Sequence, residues 1–332
     1  MAALLAVILP LLSWACAQAP PSGPGLTVVA VGDNRLDGPV GRIAAREGPE
    51  APTAGIRHWL EGDVVLGNLE TAVTTRGLAA LKLWTFRTRP AGLGILKRAG
   101  FTVLNLANNH VMDYGVQGLQ DTLKAAREQG FLVVGAGADR EAARRPLFIE
   151  KHGLKVGILS LTSTIPEAMW AGRARPGVAF ADFDRAAEWI RDAKARCDVL
   201  LVSFHGGTER ETEPNAIQTA FARLAAAAGA DVVLGHHPHM LQPVEFIGDC
   251  LVFYSIGNFL FVSPTPGTER TVIVRLLLRR GGVSAELVPL NIDGGRPRPA
   301  RGGELEAIRE VLDRRGALTV RPERIKLISP TN

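Results

Sequence analysis

Residues 232–239 read VVLGHHPH, a short apolar run that ends in three closely spaced histidines. Val232–Leu234 has the aliphatic, β-branched composition of a buried strand. His236, His237 and His239 are poor core residues, because each buried imidazole needs a polar partner and charged imidazoles repel one another. In an extended segment His237 and His239 project to the same side, which suits two neutral imidazoles lining one metal site. The stretch therefore predicts a strand whose carboxyl end carries metal ligands.

Four other predicted strands end in the same way, in Asp, Asn, Glu or His. The polar residues are Asp33 after Leu26–Val31, Asn68 and Glu70 after Asp63–Leu66, Asn108, Asn109, His110 and Asp113 after Thr102–Leu106, and His205 after Val199–Ser203. Each alone also fits a structural role, such as a turn former, a helix cap or a core histidine. Ligands of open α/β sheets bind just past the carboxyl ends of the strands, so together these residues predict one site.

Mixed Asp, Asn and His ligands suit a divalent first-row metal such as Mn, Fe or Zn. Such an ion lowers the pKa of water and neutralises anionic oxygens, and a nearby histidine that is not a ligand can act as acid or base.

The order of the predicted elements indicates an α/β fold. Continuous apolar strands separated by helices, such as Leu119–Glu128 and Ala216–Ala228, indicate a sheet that helices bury on both faces. The last strands differ, because Arg279-Arg280-Gly281-Gly282 is a hairpin signal and Pro289 is expected to end the strand that follows. The pattern predicts one domain closed by an antiparallel section.

Composition excludes several classes of protein. The chain has 332 residues, of which 46% are hydrophobic and 21% charged, so it is not a disordered chain. The net charge is +5, but the sequence lacks the concentrated basic runs of a nucleic-acid binder. We therefore expect no nucleic-acid partner.

The first 17 residues predict a targeting segment. Residues 2–17 are apolar apart from Ser13, and Ala15-Cys16-Ala17 has the small-x-small pattern of a signal-peptidase site. We expect a signal peptide over 1–17, with a lipidated Cys16 and an uncut membrane anchor as open alternatives. All three place the protein outside the cytoplasm. The predicted organisation continues with a Pro/Gly linker over 18–25, a domain over 26–300, and a C-terminal helix (Leu305–Leu312) and tail over 301–332.

The ordered motifs resemble those of the CapA family, the capsule or poly-γ-glutamate biosynthesis proteins of bacteria. They are Gly32-Asp33, Gly67-Asn68-Leu69-Glu70, Ala107-Asn108-Asn109-His110 with Asp113 and Gly115, His205-Gly206-Gly207, Gly235-His236-His237-Pro238-His239, and Tyr254-Ser255-Ile256-Gly257-Asn258-Phe259. That family is in turn similar to the calcineurin-like metallophosphoesterases. The resemblance implies a four-layer α/β/β/α sandwich of the metallo-dependent phosphatase type.

The resemblance also implies roles for individual residues. It implies metal-ligand roles for Asp33, Asn109, His205, His237 and His239, and an acid or transition-state role for His110. Asn68 stands where the wider group has a bridging aspartate, and Arg35 where it has a histidine. Glu70 can supply the missing carboxylate as a further ligand.

The number of metal ions stays open at one or two. Two cations about 3.5–4 Å apart need bridging anions, and a neutral Asn68 supplies none. We assign substrate-binding or supporting roles to Arg35, Asn68, Asn108, Asp113, Glu209 and His236.

Two functions from different classes follow. The first is a metal-dependent hydrolase acting outside the cytoplasm on a phosphoester or a polyglutamate amide, either in capsule biosynthesis or on unrelated small substrates. The second is a non-catalytic component of a membrane synthesis or export complex that binds an anionic polymer. The insertion Thr74–Pro90 contains Trp84 and Phe86, and it is either a substrate lid or local packing.

Overall fold

The computed structural model of the protein describes residues 25–328. The predicted signal peptide and linker residues 18–24 lie outside the described residues, as do residues 329–332. Across 25–328, no helix combines the length and the apolar composition needed to span a bilayer.

Strands and helices alternate along the first two thirds of the described chain. The strands are β1 (Leu26–Asn34), β2 (Val64–Leu69), β3 (Ala72–Val73), β4 (Arg87–Thr88), β5 (Val103–Asn105), β6 (Leu132–Val134), β7 (Ala136–Gly137), β8 (Leu147–Lys151), β9 (Leu154–Thr162), β10 (Gly177–Val178), β11 (Val199–His205), β12 (Val232–His236), β13 (Val244–Ile247), β14 (Cys250–Phe253), β15 (Asn258–Leu260), β16 (Arg270–Arg279), β17 (Gly282–Asp293), β18 (Arg296–Pro299) and β19 (Ile325–Leu327). The α-helices are α1 (Gly38–Glu47), α2 (Gly94–Ala99), α3 (Gly115–Glu128), α4 (Arg140–Arg144), α5 (Phe183–Lys194), α6 (Ala216–Ala227), α7 (Gly303–Asp313) and α8 (Ala317–Val320). Three 3₁₀ segments are Ala51–Leu60, Pro90–Leu93 and Glu167–Met169.

Two large sheets carry the fold. The first has the strand order β18-β17-β16-β1-β2-β5-β6, with β15 beside β1 and β19 beside β17. The second has the order β13-β14-β12-β11-β9-β8. In the second sheet the four central strands are parallel, and β13 and β8 pair antiparallel at the two edges. In the first sheet β1, β2, β5 and β6 are parallel, and β16, β17 and β18 extend the sheet antiparallel from β1. The predicted hairpin is present, because β16 and β17 pair antiparallel across Arg280 and Gly281.

Three apolar layers separate four layers of secondary structure. Alternate residues of β1 face opposite ways: Val28 and Ala30 join the cluster between the two sheets, and Val29 and Val31 join the cluster beneath α1, α2 and α3. A third cluster packs the outer face of the second sheet against α5 and α6. This arrangement confirms the expected α/β/β/α sandwich.

Pro289 does not end its strand, contrary to the prediction, since β17 continues to Asp293. Its carbonyl oxygen accepts a hydrogen bond from the Ala300 amide at 3.0 Å, just past the end of β18. The backbone nitrogen and carbonyl oxygen of Pro289 therefore face the end of β18 rather than β16, so the missing N–H removes no hydrogen bond from the β16–β17 ladder.

The C-terminal segment has more structure than its sequence indicates. The predicted helix is present as α7, but the stretch interpreted as a polar end also forms α8 and β19. β19 pairs in parallel with β17, and Ile325 is buried there. Ile325-Lys326-Leu327 alternates apolar and polar residues, but three residues are too few to distinguish a strand from an irregular tail by their pattern.

Asp63 joins the two sheets at the edge where β1 begins. Its Oδ2 accepts a hydrogen bond from the Thr27 amide at 2.9 Å, and its Oδ1 lies 2.7 Å from Lys151 Nζ and 3.0 Å from His152 Nε2. Burial raises the pKa of Asp63, but the bonds to Lys151, Thr27 and His152 outweigh it and lower the pKa to about 2.

We predict that Asp63→Asn lowers the free energy of unfolding at pH 7 by about 1–2 kcal/mol, since the pair is partly exposed. A depressed carboxyl pKa stabilises the fold above the unfolded value of 3.8 and loses that effect as the pH falls towards 2. Urea unfolding at pH 7, 4 and 3 should therefore show the difference shrinking with acidity. Asp192→Asn, at an exposed position, is the matched control; equal effects of both variants would contradict the prediction.

Candidate metal centre

The carboxyl ends of β1 and β2 in the first sheet meet those of β11 and β12 in the second. Asp33 is the second-last residue of β1, and its Oδ1 lies 3.0 Å from His236 Nδ1 at the end of β12. Asn68 of β2 lies with its Nδ2 3.3 Å from Nδ1 of His205, which ends β11. The expectation that these strand ends share one site is therefore met in the geometry.

Two glycines allow this close approach. A Cβ on Gly32 would lie 2.0 Å from the Gly257 carbonyl oxygen, and one on Gly235 would lie 1.9 Å from that of Tyr254. No side chain fits at either position, so the glycine before Asp33 and the glycine before His236 are sterically required.

Asp33, Glu70 and His239 form a buried group that could hold a metal ion, with their ligand atoms all within 4.8 Å of one another. Asp33 Oδ2 lies 3.3 Å from His239 Nδ1, and Glu70 Oε2 lies 3.9 Å from His239 Nε2. His205 Nε2 extends the group, at 3.1 Å from Glu70 Oε1 and 3.0 Å from Asn109 Oδ1.

His237 completes the set, because its ring lies 4.9 Å from that of His205 and 6.2 Å from that of His239. The structure thus brings together all six residues predicted as ligands.

His237 and His239 reach this position through an unexpected backbone. Both have positive φ angles, 99° and 59°, so this segment is not extended, contrary to the prediction. Such angles are strained for residues other than glycine and persist where the surroundings impose them, often at functional sites.

The polar atoms of the group fit a divalent cation. Both carboxylate oxygens of Glu70 and Nδ1 of His237 are buried without a hydrogen-bond partner among the described residues. A buried carboxylate without donors is costly, and a cation would supply the missing partner. Carboxylate, imidazole and amide oxygen are ligands that Mn, Fe and Zn accept.

Electrostatics assigns different protonation states to the histidines. Burial lowers the pKa of His237 to about 3 and holds that of His205 well below its usual value, so both are neutral. Burial also acts to lower the pKa of His239, but the carboxylates of Glu70 and Asp33 raise it to about 9. In the metal-free protein His237 is therefore neutral, and His239 is an imidazolium that faces the Asp33 carboxylate and the Glu70 carboxyl group. Two neutral imidazoles in the metal-bound site stay a prediction.

The two carboxyl groups also differ. Burial would raise the pKa of Asp33, but its bonds to His236 and His239 hold it well below the usual value. Burial and the neighbouring charge of Asp33 raise the pKa of Glu70 well above its usual value. Asp33 is the ionised carboxylate, and Glu70 is the one that a cation would ionise.

Asn68 positions the ligands. Its Nδ2 donates to Asp33 Oδ1 at 2.8 Å, and its Oδ1 accepts from Asn105 Nδ2 at 3.2 Å and Asn108 Nδ2 at 3.0 Å. With the amide nitrogen turned to Asp33, the oxygen of Asn68 faces away and does not bridge two ions.

His110 forms a pair with Asp113 beside the group. Its Nδ1 lies 2.8 Å from Asp113 Oδ2, and its ring stacks on Phe86 with centroids 4.1 Å apart. Burial lowers the pKa of His110 despite Asp113, and the charge of His239 lowers it further. A neutral His110 that donates from Nδ1 to Asp113 keeps a lone pair on Nε2.

The remaining predicted residues surround these groups. His236 holds Asp33, and Asn108 Oδ1 accepts from the amides of His110 and Val111, so both support the site rather than enter it. The Arg35 guanidinium lies 4.0 Å over the Phe86 ring and pairs with Asp37. Glu209 is exposed, and within 25–328 it makes no hydrogen bond or ion pair.

Three supporting residues were missed or undervalued. Lys82, in the insertion, contacts Asp113 and lies 2.7 Å from the Asn109 carbonyl oxygen and 3.3 Å from His110 Nδ1. Asn105 donates to Ser203 Oγ at 3.0 Å, which links the sheets; a polar residue inside an apolar strand was its signal. Asn258 Oδ1 lies 2.8 Å from His239 Nδ1. No local pattern distinguishes Lys82.

The insertion contributes both packing and exposed surface. Phe86 is buried against His110, whereas Leu78, Leu81, Leu83 and Trp84 are exposed. The cysteines Cys197 and Cys250 are free thiols.

Comparison with known proteins identifies relatives over most of the chain. Residues 27–263 match the family described as bacterial capsule synthesis protein PGA_cap. The PGA biosynthesis protein CapA of Bacillus subtilis is 33% identical over 290 residues, which cover 85% of this chain and 75% of that protein. The capsule biosynthesis protein CapA of Bacillus anthracis is 34% identical over 284 residues, covering 82% and 69%. Among solved structures, a novel phosphatase from Mycoplasma pneumoniae aligns with 83% of this chain and 92% of its own at 14% identity, with a TM-score of 0.47.

We predict that Asn68→Asp destabilises the metal-free protein by about 1–3 kcal/mol, because a carboxylate would replace the donor that Asp33 accepts from. Added Mn²⁺ should then raise the melting temperature of the variant more than that of the wild type, since a cation offsets the repulsion. Thermal unfolding with chelator and with Mn²⁺ measures both effects.

Asn215→Asp is the control, because this N-cap of α6 accepts either residue. A variant at position 68 as stable as the wild type in chelator would contradict the role assigned to Asn68.

Proposed function

The chain belongs to the bacterial capsule synthesis protein family PGA_cap, and from this premise we propose that it is an extracytoplasmic, metal-dependent hydrolase of poly-γ-glutamate. The observation that carries the proposal is the juxtaposition of the buried Asp33–Glu70–His239 group with the His110–Asp113 pair. Unpartnered ligand atoms beside an oriented histidine are what a metal-assisted hydrolysis requires.

Six side chains would hold the cation. They are Asp33, Glu70, Asn109, His205, His237 and His239. The metal, of the Mn, Fe or Zn type, would supply Lewis acidity that activates water and neutralises developing negative charge. Asn68, His236 and Asn258 keep the ligands oriented through the hydrogen bonds described above.

His110 moves the proton. Its Nε2 lone pair takes a proton from the attacking water, and Asp113 stabilises the imidazolium that forms. The same proton then goes to the leaving nitrogen as its bond to the carbonyl carbon breaks. Lys82 keeps Asp113 in place, because its ammonium contacts the carboxylate.

The γ-amide of poly-γ-glutamate is the substrate bond that we infer from the family description. Its carbonyl oxygen becomes anionic during hydrolysis, and the cation would stabilise that negative charge electrostatically. A phosphoester makes the same demand on the site, so both substrates belong in the test.

The location rests on residues 1–17. Asp33 lies about 25 Å of extended chain beyond Leu26, where β1 begins. The metal centre is therefore at the opposite end of β1 from the end at which the N-terminal segment joins the sandwich.

A second function is favoured by Asn68, which stands in place of a bridging carboxylate. A site that binds one ion weakly would suit a non-catalytic component that holds an anionic polymer within a membrane synthesis or export complex. In that case polymer binding would persist without metal.

We predict that His110→Ala lowers hydrolysis by about 10²–10⁴-fold without changing metal content, because it removes the proton carrier and no ligand. His237→Ala should lose at least one ion and the activity together. Elemental analysis, release of glutamate from poly-γ-glutamate and hydrolysis of bis(p-nitrophenyl) phosphate measure these effects.

His58→Ala, at an exposed position, is the control and should behave as the wild type. A metal-loaded wild type that hydrolyses neither substrate would overturn the catalytic proposal and favour the polymer-binding one.

A further inference from the structure

A cavity whose chemistry differs from that of the metal centre lies past the carboxyl end of β9. Its volume is about 210 Å³, and it is bounded by α4, by the segment after β9 and by the start of α5. Four arginines and three aromatic side chains dominate its lining: Arg140, Arg144, Arg175, Arg185, Trp170, Phe180 and Trp189.

The arginines are incompletely neutralised. Glu167 and Asp182 are the acidic residues in the lining, against four guanidinium groups. Within residues 25–328, no carboxylate lies within 4.0 Å of the guanidinium of Arg140 or Arg175. Arg185 lies 3.7 Å from Glu188, in a pair that is half exposed on both sides.

Arg144 is the least exposed of the cavity arginines that form an ion pair. Its side chain is 13% exposed, while its partner Glu141, at 3.4 Å, is 87% exposed. Its guanidinium lies 4.3 Å over the Trp189 ring and donates from Nε to the Arg140 carbonyl oxygen at 3.3 Å. A half-buried guanidinium whose acidic partner is so exposed keeps N–H donors that an anion entering the cavity would accept from.

The cavity also has an apolar wall. Trp170 stacks on Phe180 with centroids 3.7 Å apart and planes at 16°. A ligand that alternates carboxylates with methylene groups would contact both the guanidinium forks and this aromatic surface. A γ-linked glutamate chain has that repeating chemistry.

Hydrogen bonds connect the cavity wall to the metal centre. The Ala181 amide donates to the Thr162 carbonyl oxygen at 2.8 Å, and Thr162 Oγ1 donates to the His205 carbonyl oxygen at 2.9 Å. Thr162 ends β9 directly opposite His205 in the parallel ladder. The cavity and the metal centre therefore open on the same end of the second sheet, one strand apart.

We propose that Arg140, Arg144 and Arg185 form an anion subsite that holds a carboxylate of the polymer whose scissile bond lies at the metal centre. The identity of the polymer rests on the proposed function. The shared chemistry is an oxyanion, which a phosphate group also has, so the test includes both sources.

The test compares two double variants with the same loss of charge. Arg140→Gln/Arg185→Gln removes two exposed arginines of the cavity, and Arg98→Gln/Arg127→Gln removes two exposed arginines of α2 and α3. Fluorescence anisotropy with labelled poly-γ-glutamate, in chelator and at fixed salt, should show Kd raised at least tenfold in the first pair and less than twofold in the second. Arg144→Lys, which keeps the charge but loses the fork, should weaken binding several-fold.

Equal weakening in the two pairs would overturn the subsite, because it would show general electrostatic attraction. Binding of inorganic phosphate that depends on Arg140 and Arg185, without binding of poly-γ-glutamate, would overturn the carboxylate assignment in favour of a phosphate-bearing ligand. Hydrolysis of bis(p-nitrophenyl) phosphate by the Mn²⁺-loaded wild type is measured separately. Its absence would mark failure of the proposed hydrolase, whereas equal polymer binding by the two double variants marks failure of the subsite.

Discussion

The buried carboxylate of Asp33 is the point on which the site depends. It accepts hydrogen bonds from Asn68 and from the His237 amide, and it contacts the imidazoles of His236 and His239. These partners come from both sheets, so a single ionised group holds the carboxyl ends of the sandwich together. Its charge also determines its neighbours, because it raises the pKa of Glu70 and of His239.

The charges of the group are incompletely compensated by the protein. Glu70 is buried with no donor, and the His239 imidazolium lies beside both Glu70 and the Asp33 carboxylate. A cation that bound to these ligands would displace the His239 proton, so metal affinity, protonation and stability would be linked.

Two further features flank the metal centre. The insertion packs Phe86 on His110 and sets Lys82 against Asp113, while Trp84 and three leucines remain exposed at its tip. On the other side, Thr162 connects His205 to the wall of the arginine cavity. Both flanks could contact an extended substrate, which is what a polymer-processing site requires and a small-substrate phosphatase does not.

The sequence by itself determined the strand and helix pattern, the antiparallel closing section and the strand ends that bear the polar residues. These features could be predicted because the spacing of apolar residues indicates which face of an element is buried, and turn residues indicate where it ends. Local pattern did not predict how the strands divide between two sheets, how the Asn68 amide is oriented, that His239 is protonated or that Lys82 lies beside His110. Those features depend on contacts between residues far apart in the chain, and a pKa or a hydrogen-bond partner exists only once those contacts have formed.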